Sequence, residues 1–578
     1  MPRNEYPRPT IKRKDWLNLN GIWGFSFDDH NVGLNEQWYD QHELPETIKV
    51  PFGYQTKNSG IGNNELHDIV WYKRSFTIPE DWQKKEILLH FQAVDYRSQV
   101  WVNGVKVTEH EGGHTPFSVN ITYQLNQVNN TIVVRVEDFS EDLEQPRGKQ
   151  YWKEESSGIY YSRTTGIWQT VWLEPVSKTH IHQLKLTPNI DDSMVSVNYK
   201  ITNPKIGQNL VVEVSYRGSI VCTERIPLKH EVDQQNLQLS DFQNGNGRLW
   251  SPESPNLYDV RAYLLEIENV IDEVQSYFGM RKIAIVNGKI ELNNQPYYMK
   301  LVLDQGYYPD SLLTAPDEDW IKRDIRLTKE MGFNGVRKHQ KVEEPTYLYW
   351  ADRMGLLVWG EMANANQFGD TYRKRIINEW QEVIERDYNH PSIIVWVPIN
   401  ESWGVPQIHR NSRQANHAMS LYHLTKSMDT TRLVISNDGW EHVKSDILTI
   451  HDYEGKKEVL KDRYASVENI LASKPADRLL YVKGYHYNDE PILVSEFGGI
   501  AFQKNDWQGW GYTTANDESD FLNRYRQVVT GLLESSHVQG FCYTQLTDIE
   551  QEINGLLTYD RKPKVELTCI RRINEGKA

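Results

Sequence analysis

The rhythm of apolar and polar positions changes near residue 283. Before that point short runs rich in β-branched and aromatic residues follow one another, at 71–78, 86–91, 98–102, 131–136 and 169–174. Turn residues bound each run, which predicts strands. Asn103-Gly104 predicts a hairpin, because both central positions of a type I′ turn need positive φ. No helical period of useful length interrupts the series, so an all-β sandwich is expected. A second set of strands, at 184–188, 194–200, 210–216 and 258–264, has the spacing of an immunoglobulin-like sandwich. From about residue 283 helix and strand alternate. Residues 317–331 predict a helix, with acidic residues in its first turn and Gly332 just past its end. Apolar runs at 297–303, 333–337, 356–361, 393–399, 431–436, 446–450, 491–495 and 538–544 supply eight strands, the number of a (β/α)₈ barrel. The predicted units are therefore 1–176, 177–282 and 283–578.

Two of the barrel runs end on a glutamate. Ile393-Ile394-Val395-Trp396-Val397-Pro398-Ile399 leads to Asn400-Glu401, and Pro491-Ile492-Leu493-Val494-Ser495 leads to Glu496. Neither run alternates, as expected of a strand buried on both faces of a parallel sheet. A carboxylate just past such a strand lies on the carboxyl-end face, where barrel enzymes gather their catalytic groups. Two of them, 95 residues apart, suit the acid/base and nucleophile of glycoside hydrolysis, and equally a pair of structural carboxylates.

Composition narrows the partners. Lys plus Arg minus Asp plus Glu is 64 − 79 = −15, which argues against nucleic acid or an anionic membrane. A local basic pocket for an anionic substrate stays open. No run of about 18 apolar residues occurs. The N-terminal residues 1–7 lack the apolar stretch of a secretory signal, and the three cysteines (Cys222, Cys542, Cys569) form no metal-type cluster. A cytoplasmic protein with reduced thiols is expected. The 19 Trp and 32 Tyr suit stacking on sugars and core packing alike.

Several motifs then stand in a telling order. Leu19-Asn20-Gly21-Ile22-Trp23-Gly24-Phe25, Trp101-Val102-Asn103-Gly104, Gly112-Gly113-His114-Thr115-Pro116-Phe117 and Thr165-Gly166-Ile167-Trp168-Gln169-Thr170 come first. Ser251-Pro252-Glu253-Ser254-Pro255, Asn389-His390-Pro391-Ser392-Ile393 before Asn400-Glu401, and Ser495-Glu496-Phe497-Gly498 follow. Over essentially its full length the chain resembles glycoside hydrolase family 2, which includes β-galactosidases, β-glucuronidases and β-mannosidases. The resemblance implies a jelly-roll sugar-binding domain, an immunoglobulin-like domain and a TIM barrel. It also implies a homo-oligomer and a retaining mechanism, with Glu401 as acid/base, Glu496 as nucleophile and carboxyl groups about 5–5.5 Å apart. The ionised nucleophile is expected to raise the pKa of Glu401 and keep it protonated. Asn400 would donate to the sugar 2-hydroxyl. Other strand-end candidates are Arg337 for the nucleophile or sugar, Asp304 and His451 for sugar hydroxyls, and Tyr453 and Tyr543 for nucleophile or ring. Rim packing and ion pairing are their structural alternatives.

The chain departs from the family pattern where substrate is chosen. The magnesium-holding Glu and His of some β-galactosidases are lost in Glu361-Met362-Ala363-Asn364, so neither a catalytic metal nor a cofactor is expected. The main expectation is an exo-acting β-galactoside hydrolase. The alternative is a β-uronidase that grips the sugar carboxylate with Arg337, Lys338 and Lys341. Against it, the Asn-X-Lys element of the glucuronidases is absent from Glu552-Ile553-Asn554-Gly555, and the two lysines could instead pair with Glu343 and Glu344. A carbohydrate-binding protein on an inactive scaffold is the remote possibility.

Overall fold

The computed structural model describes residues 3–40, 42–504 and 509–577; residues 1, 2, 41, 505–508 and 578 lie outside it, the first two positions of the N-terminal stretch among them. The early strands pair into two antiparallel sheets around one apolar core. A six-stranded sheet runs in the order Glu46–Val50, Gly21–Phe27, Ile69–Phe76, Asn130–Glu137, Arg97–Val102, Val105–Glu111. A four-stranded sheet holds Leu17–Asn18, Val171–Val176, Glu86–Phe91 and Phe117–Asn120. Asn103 (φ 50°) and Gly104 (φ 77°) make the expected hairpin, with Val102 opposite Val105.

A second sandwich follows, with three strands (His180–Asn189, Met194–Thr202, Val232–Gln238) against four (Ser219–Pro227, Gln208–Tyr216, Tyr258–Glu266, Asn269–Phe278). Its strand Met194–Thr202 alternates buried and half-exposed positions, as one solvated face requires.

Eight parallel strands build the barrel: β1 (Met299–Asp304), β2 (Gly335–Lys338), β3 (Leu357–Glu361), β4 (Ile393–Val397), β5 (Leu433–Val434), β6 (Leu448–Asp452), β7 (Ile492–Gly498) and β8 (Val538–Thr544). They pair in the order β5-β4-β3-β2-β1-β8-β7-β6. Every residue of β4 and β7 is buried, which explains why those runs do not alternate. Inward residues such as Leu301, Trp359, Val395, Leu493 and Cys542 fill the interior, while Trp396 points outward to Trp380 at 5.6 Å. The β1 crossover helix, Glu318–Glu330, begins where expected: the Asp317 carboxylate accepts from the N–H groups of Asp319 and Trp320. No β5–β6 ladder occurs among the described residues. That seam is bridged instead by the Gly439 N–H to Thr449 Oγ1 (3.2 Å) and by the His451 N–H to the Gly439 carbonyl (3.3 Å). Gly439 (φ +96°) is needed there, since a Cβ would come within 2.7 Å of the His451 ring.

The carboxyl-end face of the barrel is partly covered by the N-terminal unit. The segment 138–165, between its strands, lies across the rim, and the N–H groups of Arg147 and Gly148 donate to the Asn364 carbonyl (3.2 and 2.9 Å). No helix among the described residues is long and apolar enough to cross a membrane.

Trp396 tests the outer layer, because it is fully buried and its Nε1 donates to Asp429 Oδ2 at 2.8 Å. Trp396→Ala should cost about 3–5 kcal/mol and lower the urea midpoint of the barrel transition. An unchanged midpoint would show that the β4 outer face carries no such packing.

Candidate active site

Glu401 and Glu496 meet on the carboxyl-end face. One carboxylate oxygen of each, together with a ring nitrogen of His451, lie within 4.8 Å of one another. The side chain of Glu401 keeps 20% exposure and that of Glu496 only 6%, so Glu496 sits deeper. Glu401 and Ser402 adopt left-handed backbone (φ 50° and 61°), a conformation that costs energy without glycine. Their surroundings hold it: the Glu401 N–H donates to the Asp438 carbonyl (3.0 Å), the Ser402 N–H to Asn437 Oδ1 (2.8 Å), and Ser402 Oγ to Glu441 Oε2 (2.6 Å).

Beneath the pair lies Arg337, at the end of β2 and fully buried. It donates to Glu361 Oε2 (2.8 Å), Glu496 Oε1 (2.9 Å), Asn400 Oδ1 (2.6 Å) and the Ser495 carbonyl (3.0 Å), and pairs with Asp438 Oδ2 at 2.8 Å. Arg337 Nη2 also donates to His339 Nδ1 (3.0 Å), and burial, with Arg337 and Lys149 beside it, keeps that imidazole neutral. Because Arg337 occupies Asn400 Oδ1, the Asn400 amide is turned so that its Nδ2 is buried without an acceptor. An orphaned donor beside the two glutamates is a place for an acceptor the free chain lacks. On the other side of Glu496, Tyr453 donates to Oε2 at 2.5 Å.

His451 bridges the two glutamates. Its Nδ1 is 2.7 Å from Glu401 Oε1 and 3.5 Å from Glu496 Oε2, and its Nε2 is 3.0 Å from Asp438 Oδ2. Burial alone would push the imidazole down, but Glu496 and Asp438 lift it to about 10, so it is a cation at neutral pH. Burial likewise favours a neutral Glu401, yet the His451 contact holds its carboxyl below the usual range, with Lys149 and Arg337 acting in the same direction. This corrects the expectation that the charge of Glu496 keeps Glu401 protonated; the imidazolium between them outweighs it.

The remaining candidates are placed as follows. Asp304 is committed to the Gly306 N–H (2.9 Å) and to Lys338 Nζ (2.7 Å). Lys338 also pairs with Glu343 (2.6 Å); Lys341 binds Glu343 (3.0 Å) and the carbonyls of Gly306 and Leu313. The basic cluster is therefore neutralised from within, by Glu343 rather than by Glu344, which pairs with Arg3. Arg337 is likewise spent on carboxylates of the protein. Tyr543 packs edge-on against Phe497 and Tyr525, and its hydroxyl meets the Ile500 N–H at 3.4 Å, not Glu496. Sequence reasoning missed Asp438, which lies only two residues beyond the run 431–436 and could have been read as its strand-end acid. Nothing in the sequence pointed to Lys149, whose segment follows a strand of another unit.

Three family models match in series: the sugar-binding domain of glycosyl hydrolases family 2 over residues 16–171, the model described as glycosyl hydrolases family 2 over 179–281, and the TIM barrel domain of that family over 283–576. A beta-galactosidase of Thermoanaerobacter pseudethanolicus is 27% identical over 419 residues, 70% of this chain and 53% of that protein. The beta-glucuronidase of Rattus norvegicus is 24% identical over 557 residues, 86% of this chain and 79% of that protein. The chain thus spans about half the length of the larger curated relatives it matches. The structure of a β-glucuronidase from Ruminococcus gnavus in complex with D-glucuronic acid superposes with a TM-score of 0.79, at 19% identity, covering 99% of each chain. That likeness is one of fold.

His451 carries a pH signature. Its pKa is about 10 in the folded chain against 6.5 ordinarily, so its contacts stabilise the fold fully below about pH 6.5 and are lost as the pH rises through about 10. The urea midpoint of the wild-type chain, relative to His451→Gln, should fall over that window. A difference that stays constant from pH 6 to pH 10 would mean the imidazole is neutral throughout.

Proposed function

Because the chain belongs to glycoside hydrolase family 2, we propose that it is a retaining, exo-acting β-glycosidase whose substrate ends in a uronic acid. The observation that carries the reaction is the approach of Glu401 and Glu496 to within 4.8 Å between carboxylate oxygens. That spacing suits direct attack by one carboxylate and leaves too little room for the water that an inverting pair must hold between them.

Glu496 is the nucleophile in this reading. Arg337 and Tyr453 each donate to one of its oxygens, which fixes the orientation of the group that would attack the anomeric carbon. Its attack forms the glycosyl ester as the bond to the leaving oxygen breaks. That oxygen needs a proton, and Glu401, the more exposed of the pair, is its donor in this reading. The proton is held in the free chain on the 2.7 Å contact between His451 Nδ1 and Glu401 Oε1. Glu401 can pass it to the leaving oxygen and draw on His451 behind it; the two titrate as a unit rather than as separate groups. In the second half Glu401 accepts a proton from water, which attacks the ester and restores Glu496. Asn400 Nδ2, unpaired in the free chain, would donate to the 2-hydroxyl of the sugar as positive charge develops on the ring.

For the sugar, the relatives weigh towards the uronide rather than the galactoside expected from sequence. Proteins named beta-glucuronidase from Rattus norvegicus and Streptococcus agalactiae are among them, and the superposed structures are of β-glucuronidases. The β-galactoside remains the second reading, supported by the relatives named beta-galactosidase. Under either reading the cations that were expected to hold a carboxylate, Arg337, Lys338 and Lys341, are engaged with the protein's own acids.

Nitrophenyl β-glucuronide, β-galacturonide and β-galactoside assayed together should show turnover of a uronide, and Glu496→Ala should lower kcat by about 10⁴-fold or more. Proton NMR of the first-formed sugar should show the β-anomer. Release of the α-anomer would overturn the retaining assignment, and a chain that binds uronides without turning any over would be the non-catalytic protein instead.

A further inference from the structure

Among the described residues one cation near the two glutamates has no anion of its own. Lys149 is only 8% exposed, yet its ammonium makes no ion pair and no hydrogen bond there. Its Nζ lies 5.5 Å from the centre of the Trp403 ring, and Trp403 follows Glu401 by two residues. Its charge reaches Glu401 and His339, both of which it holds down. The other cations of the face are spent: Arg337 on Glu361, Asp438 and Glu496, Lys338 on Asp304 and Glu343, Lys341 on Glu343.

The position of Lys149 is fixed by the join between the N-terminal unit and the barrel. Gly148 (φ +62°) lies so close to the loop after β2 that a Cβ would fall 2.0 Å from the Gln340 carbonyl oxygen. Only glycine permits that approach. The Lys149 carbonyl accepts from the Tyr161 N–H at 2.9 Å, which ties the two ends of the segment together. Tyr160, stacked on Tyr151 at 5.3 Å, stands 5.4 Å from Trp403 and closes the aromatic wall around the lysine.

The charge balance of the face gives this lysine a task. Four carboxylates (Glu361, Glu401, Asp438, Glu496) face two cations, Arg337 and His451, within the network beneath the substrate site. An anionic substrate entering there meets a surplus of negative charge. It needs a cation that is not already neutralised, and an ammonium carried on a largely buried side chain is held ready for a carboxylate at less ordering cost than a freely moving surface lysine. A neutral sugar offers no such gain.

We propose that Lys149, supplied by the N-terminal unit and not by the barrel, receives a carboxylate carried by the substrate and so sets the preference for anionic over neutral glycosides. The proposal rests on the hydrolase reading above. The carboxylate has two sources, the sugar ring of a uronide or an acidic leaving group, and both present the same chemistry to an ammonium.

The test compares wild-type chain, Lys149→Met and Lys149→Arg on nitrophenyl β-glucuronide, β-galacturonide and β-galactoside and on carboxyphenyl β-galactoside. Lys149→Met should lower kcat/KM for anionic substrates about tenfold or more relative to the nitrophenyl galactoside, and Lys149→Arg should keep most of the preference. A fall confined to the uronides places the carboxylate on the ring; one confined to the carboxyphenyl galactoside places it on the leaving group. An equal change on charged and neutral substrates, or none, overturns the proposal. Should the wild-type chain hydrolyse nothing, the hydrolase reading fails, and calorimetric titration with D-glucuronate, D-galacturonate and D-galactose still decides on Lys149. Tighter binding of a uronate that Lys149→Met abolishes supports it; uronate affinity that is the same in both chains overturns it. Matching urea midpoints of the three chains establish that each is folded.

Discussion

A fully buried guanidinium sets the terms for the barrel's carboxyl-end face. A charge with no access to water is tolerated only if its surroundings return what hydration would supply. For Arg337 that return comes from Glu361 on β3, Asp438 after β5, Glu496 on β7 and Asn400 after β4. One side chain thereby gathers residues from four different strand ends and fixes each in orientation. The same contacts that satisfy Arg337 point Glu496 outward and leave the Asn400 amide donor free. Structural demand and site geometry are thus one arrangement, and removing any partner would leave an unpaired charge among the rest.

The second consequence is where the mobile proton resides. Asp438 bonds both Arg337 and His451, and although burial opposes its ionised form, those two cations hold its carboxyl far below the usual range. A negative charge on one side of the imidazole and two glutamates on the other hold His451 as an imidazolium. The seam between β5 and β6 provides the room: with no ladder there, Gly439 and His451 approach closely enough for the ring to stand between Glu401 and Asp438. In the proposed reaction the proton for the leaving oxygen would come from a histidine–glutamate pair, whose glutamate sits on the strained backbone of Glu401 and Ser402.

A third feature depends on joining separate units. The barrel carries Glu401 and Glu496, but Lys338 and Lys341 at its rim are neutralised within it. Lys149 arrives from a segment between two strands of the N-terminal sheets, held against the rim by Gly148 and Asn364. Under the proposed reading, such a division would let one unit hold the chemistry while another adjusts the charge beside it.

Much of this was legible in the chain itself. Runs that do not alternate announced two of the barrel strands, because a strand covered on both faces has no position to spare for water, and short β-branched runs bounded by turn residues announced the sandwiches. Glu401 and Glu496 were readable for a local reason: each ends such a run, and the end of a buried parallel strand has a defined place in a barrel. Tertiary structure decided what no local rule reaches. Whether Lys338 and Lys341 face a substrate or a glutamate depends on side-chain directions at the loop after β2, and they turned to Asp304 and Glu343. Whether Glu401 holds its proton depends on an imidazole 50 residues away in sequence and 2.7 Å away in space. The cation left over, Lys149, is brought to the site only when two separately folded units meet, and composition and periodicity carry no record of that contact.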